Sequence, residues 1–557
     1  MVAVLSSHLA LSSAVLDSIG TMKSTRHYAE KIKSSWWTFV IVLVALFLSR
    51  GVVTLCIFPP LEGWDEYQHV AYIQYLIDHQ ATPVARASQT VVSESLLEAL
   101  TRFPQPEHML EQKTGGLGYG VYWEDQQGSV FRGDRAAPAP ALYQAQHGSL
   151  YYRLVEPVYT WFGGSADLRS SIAALRVLNL IFAASALAFV LASLGRLLSP
   201  LDARIVGLLV SLQPLFLLNS VRVANDSLAI LLSSIVVAAV LHPRAQHSLL
   251  VSIVVGVTAG CAALVKAFGL VLVPFLGVSY FVSVLTGDLK WRRAALCGCL
   301  SMVFASLLIV PALIGNVETY GSLTPMQEGL VNRQAGRGFG QLLETALAID
   351  WPRRLGWMWL YGNTWVGGWS FISTGSTLRR VVSITLMIMS AGWVWSWILP
   401  KARRSKVFTV PGTGLRLIAV VILMSAALGY HMIHSLAAWG VISTNPWYAA
   451  FAFPWALTLV YGGALQWPTR AFGMSLAALL IILYFAAEVN GTFFRMLPFY
   501  SNTMGPLSLE RMAALRPEVL GTSTLYLASL MSLFLLGTLV WLAGRGRSGG
   551  AAMRSRD

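Results

Sequence analysis

Charge is what this chain has least of. Only 12% of its 557 residues are Asp, Glu, Lys or Arg, against 55% hydrophobic, and a soluble protein carries roughly twice that charged fraction. A soluble protein of several domains is excluded. Cysteine is nearly as scarce: Cys56, Cys261, Cys297 and Cys299 are the whole complement, all inside apolar runs. That leaves no disulfide framework, and the spacing of Cys297 and Cys299 points their thiols to different sides of a helix, so they form no metal pair. No inverted repeat of the kind many transporters carry is visible either. Nor is a cleavable leader expected. The cluster Lys23, Arg26, Lys31 and Lys33 precedes a hydrophobic run too long for a signal peptide, with no small-residue cleavage site after it, so the first span is expected to be retained.

What the chain has instead is apolar runs of the length that crosses roughly 30 Å of hydrocarbon as a helix. They predict an all-α, polytopic membrane protein with about twelve spans, at residues 36–58, 172–195, 203–221, 224–242, 248–265, 268–286, 293–314, 379–399, 415–436, 447–466, 471–488 and 522–543. The net charge of +14 follows the same topology. With the N-terminus inside, the predicted cytoplasmic segments and the span ends flanking them hold 20 Lys and Arg against five acids, while the remainder holds 20 against 21. The stretches "RHYAEKIK", "KWRR", "PKARRSK" and "GRGRSGGAAMRSRD" all fall on one side, as the positive-inside rule requires. The basicity therefore reads as an orientation signal with some attraction for anionic headgroups, and nucleic acid is not an expected partner.

This topology divides the chain into a cytoplasmic segment (1–35), the first span (36–58), a large external insertion (59–171), a bundle (172–314), a second external loop (315–378), a C-terminal bundle (379–543) and a basic cytoplasmic tail (544–557). The insertion carries 13 of the 26 acids. Within it a helix is expected from Trp64 to His79, a short one at "SESLLEALTR", and an interfacial one at "SLYYRLVEPVYTWFG", which is apolar but interrupted by Arg153, Glu156 and Pro157. An insertion this long on a membrane bundle usually serves function.

The chemistry-bearing residues begin directly after the first span, in "FPPLEGWDEYQHVAYIQYLIDHQATPV". On a helix Asp65, His69 and Tyr72 share a face, with Glu66 about 100° away. Acids in a first helical turn also serve simply as caps favoured by the helix dipole. Arg176, Arg222 and Lys266 fall at the outer ends of predicted spans, where cations bind phosphate or merely snorkel to the interface. Asn225 and Asp226 share that outer side, where they line a site or cap the next span. Arg50 lies inside the first span, where ionisable groups are expensive and often functional.

The stretch "PPLEGWDEYQHVAYIQYL" resembles the first external motif of polytopic glycosyltransferases of the GT-C fold, the superfamily of the protein O-mannosyltransferases and lipid A aminoarabinose transferases. It is most similar to a bacterial branch with Pro-Pro, Asp-Glu, His and Tyr at this place. Further along, "QHGSLYY" (146–152) resembles a His-Pro-Pro-Leu-Tyr-Tyr motif, "LRVLN" (175–179) the opening of the second span, "QPLFLLNSVRVANDSLA" (213–229) a Pro…Asn-Asp turn, and "ALVKAFGLVLVP" (263–274) a Thr-Lys-type segment. "NVETYGSLTP" and "YGNTWVGGWSFI" fit the later external loop. Two departures stand out: Gly148-Ser149 replaces prolines, and Trp447 stands where the family has an Arg before Tyr448.

The resemblance implies a transferase that moves a sugar from a polyprenyl-phosphate donor to a glycan, lipid or protein acceptor, with inversion, at the external face of a bacterial inner membrane. It implies Asp65 as catalytic base, with Glu66 assisting or orienting. The leaving phosphate needs external cations, for which Arg176, Arg222 and Lys266 are the candidates. His69, Tyr72, His147, Tyr151, Tyr152, Asn225, Asp226 and Tyr448 are candidates to shape the acceptor pocket. A divalent cation accepts carboxylate pairs, but no fuller ligand set is present, and metal-independent chemistry without a cofactor is expected. Two other classes stay open. A transporter or flippase would carry ionisable or broken segments at the midplane in matched halves, and a lipid-binding subunit would keep the fold without the reaction.

Overall fold

The computed structural model describes residues 23–85, 90–124, 138–398, 406–443 and 445–554. The expected cytoplasmic residues 1–22, the basic stretch 399–405 and the last three residues lie outside that set. The chain is 76% helical, with no strand among the described residues. Its principal helices are α1 (Lys23–Leu55), α2 (Glu66–His79), α3 (Leu150–Trp161), α4 (Leu168–Leu197), α5 (Pro200–Leu212), α6 (Pro214–Ser220), α7 (Asp226–Val240), α8 (Leu249–Val265), α9 (Leu272–Leu285), α10 (Trp291–Tyr320), α11 (Ser376–Ile398), α12 (Thr413–Trp439), α13 (Phe453–Ala464), α14 (Arg470–Val489) and α15 (Thr522–Arg554).

Local chemistry sets several of their starts. The Asp167 carboxylate accepts from Ser170 N at the head of α4, Ser199 precedes Pro200 at the start of α5, and Ser248 Oγ accepts from Val251 N at the head of α8. Each satisfies a donor that the first helical turn leaves without a partner. In the bundle α1 packs on α4 and α15, α7 on α4 and α8, and α8 on α10.

A helix stands at each of the twelve predicted spans, but fewer than twelve of them meet the length and apolarity of a full crossing. Among the described residues eight helices are long and apolar enough to cross, or nine with the bent pair α5–α6 taken as one. The shortfall comes from breaks. Pro214 holds Gln213 extended (φ −62°, ψ 119°), and the pair bends by 56°, because proline has no N–H and restricts the residue before it. Lys266 is likewise extended (φ −152°, ψ 132°) between α8 and the 3-10 turn Ala267–Val271. Helix α7 has 15 residues, which at 1.5 Å per residue is about 22 Å, and α13 has 12.

The described residues of the insertion pack against this bundle. Tyr67, Val70, Tyr72, Ile73 and Leu76 of α2 join Tyr151, Tyr152, Val155 and Tyr159 of α3 in an apolar core that continues into Ile172, Leu175 and Val265 of the bundle. The other side of α3 presents Leu154 and Trp161, 51% and 85% exposed, with Phe162 beyond. This two-faced apolarity is that of a helix lying in a membrane interface. Arg50 of the first span is paired: its guanidinium donates to the Glu488 carboxylate of α14 and to Ser211 O at 2.7 Å. It ties α1 to α14 and α5.

Candidate functional site

The acid pair divides into one free group and one fixed group. Asp65 sits at the N-cap of α2 in the left-handed region (φ 59°, ψ 11°), with Leu61 four residues earlier also left-handed (φ 70°). Asp tolerates this conformation better than most residues. The main chain opens the helix, with Gln68 N and His69 N donating to Asp65 O at 2.9 and 3.0 Å, yet the side chain makes no cap bond. Simple capping therefore does not explain this residue. Its half-buried carboxylate instead accepts a short hydrogen bond from the Tyr143 hydroxyl. Burial raises the Asp65 carboxyl above its ordinary range, while the Tyr143 bond and the charges of Arg222, His108 and Lys266 pull it back.

Glu66 has no such freedom. It is fully buried and accepts from Arg176 Nε at 2.7 Å, Arg176 Nη2 at 2.6 Å and Val223 N at 2.8 Å. These bonds occupy both of its carboxylate oxygens. Arg176 is largely engaged by this pairing. Two further N–H groups go to Phe58 O at 2.8 Å and Pro59 O at 2.7 Å, so four of its five donors are engaged, and it is 3% exposed. Together the two residues lock the turn before Asp65 onto α4.

Arg222 is also engaged. It donates to Asn219 Oδ1 at 3.2 Å, Trp64 O at 2.9 Å and Asp226 Oδ2 at 2.7 Å, and its guanidinium lies over the Trp64 ring. Lys266 differs from both. Its Nζ donates to Asp226 Oδ1 at 2.5 Å, the one hydrogen bond it makes among the described residues, and an ammonium has three N–H donors. By this count Lys266 keeps two N–H donors for an anion, Arg222, with three of its five N–H groups engaged, also keeps two, and Arg176 keeps one. Asp226 serves as the shared counter-ion of Arg222 and Lys266. Asn225 stands at the N-cap of α7 without capping it; its Nδ2 donates to Val265 O at 2.8 Å and its buried Oδ1 has no partner.

The predicted pocket residues of α2 and α3 do meet, as a packed layer. The Tyr72 and Tyr152 rings stack at 3.7 Å, Tyr72 donates to His147 O at 3.2 Å, and the Tyr151 hydroxyl donates to Asn179 Oδ1 at 3.2 Å. His69 Nδ1 and the Tyr152 hydroxyl share a hydrogen bond of 2.9 Å, and the His69 ring lies parallel to that of His147, 6.5 Å away. Burial holds the His147 imidazole down at about 3 and His69 well below its ordinary value, so both are neutral at physiological pH.

Several residues that matter here carried no sequence signal. Gln68 reaches back to residues 141–143, donating to Ala141 O at 3.1 Å and accepting from Tyr143 N at 3.0 Å, and thereby sets the Tyr143 hydroxyl on Asp65. Asn179 holds the carbonyls of Arg222 and Ala224, which fixes the turn between α6 and α7. Glu62, fully buried, accepts from Tyr119 Oη at 2.7 Å, Ser370 N at 2.6 Å and Ser370 Oγ at 2.9 Å. Burial pushes its carboxyl up to about 7.

Among the described residues no group of three or more His, Cys, Asp and Glu side chains is placed to hold a metal ion, and the oxygens of Glu66 are already taken. Cavities of about 430 and 510 Å³ lie along α12, one beside Arg337 and Gln341 and the other beside Trp351 and Tyr430. Neither is lined by Asp65.

The backbone is similar to solved structures of an archaeal oligosaccharyltransferase and of ArnT. Against the Archaeoglobus fulgidus oligosaccharyltransferase in complex with Zn and sulfate, identity is 15% and the TM-score 0.44, over 81% of this chain and 53% of that one. Against AglB of the same organism with an inhibitory peptide and a dolichol-phosphate, the values are 12%, 0.38, 81% and 56%. Against ArnT from Cupriavidus metallidurans bound to undecaprenyl phosphate, they are 15%, 0.32, 86% and 88%. The chain spans about half the length of the archaeal enzymes. No family model and no curated protein matches it. Likeness of this degree concerns the course of the helices and says nothing of the site.

Proposed function

We propose that this chain is a membrane glycosyltransferase that moves a sugar from a polyprenyl-phosphate donor to an acceptor hydroxyl, at the membrane face that carries residues 59–171. The observation that supports this most is the contrast between two adjacent carboxylates, Glu66 filled by Arg176 and Asp65 free of cap and ion pair. In this reading Asp65 takes the proton of the acceptor hydroxyl. The acceptor oxygen then bonds to the anomeric carbon from the face opposite the phosphate, the carbon–phosphate-oxygen bond breaks, and the configuration inverts. The departing phosphate carries the electron pair, and Lys266, with two N–H donors left over, is the cation that receives it. A carboxyl raised by burial is a stronger base than one in water, which suits it to this proton. The donor class itself comes from the motif resemblance, as does placement in a bacterial inner membrane.

The test is Asp65→Asn in the purified full-length chain and in cells. The amide keeps the Tyr143 bond and tolerates the left-handed backbone, so folding and membrane insertion should persist while transfer falls by about a hundredfold or more. Mass spectrometry of membrane glycoconjugates in a deletion strain, complemented with either form, reads the outcome. Retained turnover would remove Asp65 from the mechanism.

A further inference from the structure

His431 faces inward from α12, 6% exposed, and neither of its ring nitrogens has a hydrogen-bond partner. A neutral imidazole carries one N–H and one lone pair in either tautomer. Leaving both unpaired in a protein interior is costly enough that native structures seldom do it without a functional reason. The surroundings offer no internal remedy. The Tyr448 ring meets His431 edge to face at 5.1 Å and Phe268 does so at 6.2 Å, and neither ring face accepts a strong hydrogen bond. On the same Tyr448 ring, 5.7 Å from its centroid, stands Lys266 Nζ. Two side chains with donors left over, from α12 and from the break after α8, thus converge on one tyrosine. Trp447, where the resembling family has a cation, is stacked on Trp64 and supplies no charge.

We propose that His431 binds the lipid-linked phosphate of the donor, its N–H donating to a phosphate oxygen while Lys266 provides the charge. A phosphate is the ligand whose chemistry fits, since its oxygens accept from both an N–H and an ammonium. This inference rests on the glycosyltransferase reading above, and it assigns the anion contact to a residue that neither motif nor charge singled out.

The experiment compares binding of a polyprenyl monophosphate with that of the matching polyprenol by the full-length protein in nanodiscs, for the parent, His431→Phe and His431→Gln. Phe keeps ring and volume but removes both nitrogens; Gln keeps a donor and an acceptor. The parent should prefer the phosphate. His431→Phe should lose about tenfold or more of that preference, the scale of a hydrogen bond to a charged group, with no fall in melting temperature, and His431→Gln should recover part of it. In turnover the Phe variant should raise KM for the donor with kcat little changed. A parent with no preference for the phosphate would overturn the glycosyltransferase reading and the inference together. A parent that prefers it, with His431→Phe unchanged, would overturn the inference alone. Should His431→Phe fail to fold, His431→Leu carries the same two outcomes.

Discussion

The Trp447 ring lies flat on that of Trp64, with centroids 3.9 Å apart and planes 14° from parallel. Trp64 is the residue before Asp65, its carbonyl is held by Arg222 at 2.9 Å, and the Arg222 guanidinium covers its ring. The departure from the family pattern at position 447 is therefore a packing solution that fixes the backbone entering the left-handed Asp65. Trp447→Ala should cost about 3–5 kcal/mol of stability. Trp447→Arg should cost at least as much, because it buries a second guanidinium beside Arg222. Thermal unfolding of the purified protein measures both, and an Arg variant as stable as the parent would show that Trp447 is interchangeable with the family's residue.

Tyr143 tunes Asp65 through one hydrogen bond, which favours the ionised carboxylate against the burial that opposes it. Tyr143→Phe removes that bond and leaves the carboxyl with a still higher pKa. A base must be deprotonated to act, so activity is lost as pH falls through its pKa. The acid limb of the pH–rate profile should therefore move to higher pH in Tyr143→Phe, with the plateau at alkaline pH less affected. An unmoved limb would detach Tyr143 from the ionisation of Asp65.

Glu66 and Arg176 form a fully buried, two-pronged ion pair. Breaking one side of such a pair leaves an uncompensated charge in the interior, at about 3–5 kcal/mol. Glu66→Gln and Arg176→Met should each lower stability on that scale, and the double variant should lose much less than the sum. Additive losses in the thermal midpoints would show that the two side chains do not depend on each other. This behaviour separates Glu66 from Asp65, whose Asn variant should fold normally.

Much of the fold could be read from the chain, because a membrane span needs only length and apolarity, and both are local properties. A helix occurs at every predicted span for that reason. The number of full crossings could not be read, because it depends on breaks such as those at Gln213 and Lys266, which leave short helices that hydropathy alone merges into full ones. In the candidate site, Asp65 is proposed from its motif, and its short bond to Tyr143 is not visible in the sequence. The roles of the cations were not legible, since a cation's availability depends on which acid has claimed it. Glu66 and Arg176 are 110 residues apart, and nothing in either neighbourhood announces the pair. The Arg222–Asp226 pair was no more legible, because Arg222 lies in the turn ahead of α7 and not on a helix, where four-residue spacing would bring the two side chains together. Tyr143 and His431 sit in unremarkable stretches, and only the assembled structure brings one to Asp65 and leaves the other without partners.

Glu62 joins three segments distant in sequence: its own turn, Tyr119 of the insertion and Ser370 of the later loop. Its carboxyl is raised from an ordinary 4.5 to about 7, chiefly by burial. The folded state thus holds this proton more tightly than the unfolded chain does. The stabilisation from Glu62 is then full below about pH 4.5 and is lost as pH rises toward about 7. Amide exchange of residues 362–375 should speed up across that window in the parent. Glu62→Gln, which cannot ionise, should show no such change. An equal pH response in both would locate the sensitivity elsewhere.

Gly148 answers the other departure from the family pattern. A Cβ at this position would drive into the carbonyl oxygen of Leu264, near the end of α8, so the loop carrying His147 approaches the helix as closely as only glycine permits. Leu264 is two residues before Lys266, and the extended Lys266 backbone begins where α8 stops. Because the obstacle is backbone, it cannot swing aside as a side chain would. Gly148→Ala should push the His147 loop off α8 and displace Lys266 from Asp226. The loss should therefore appear in donor affinity as well as in stability. The check is the phosphate-over-polyprenol binding preference, measured beside the melting temperature. If Gly148→Ala lowers the melting temperature by itself and leaves the preference intact, the close approach serves packing alone and has no bearing on where Lys266 stands.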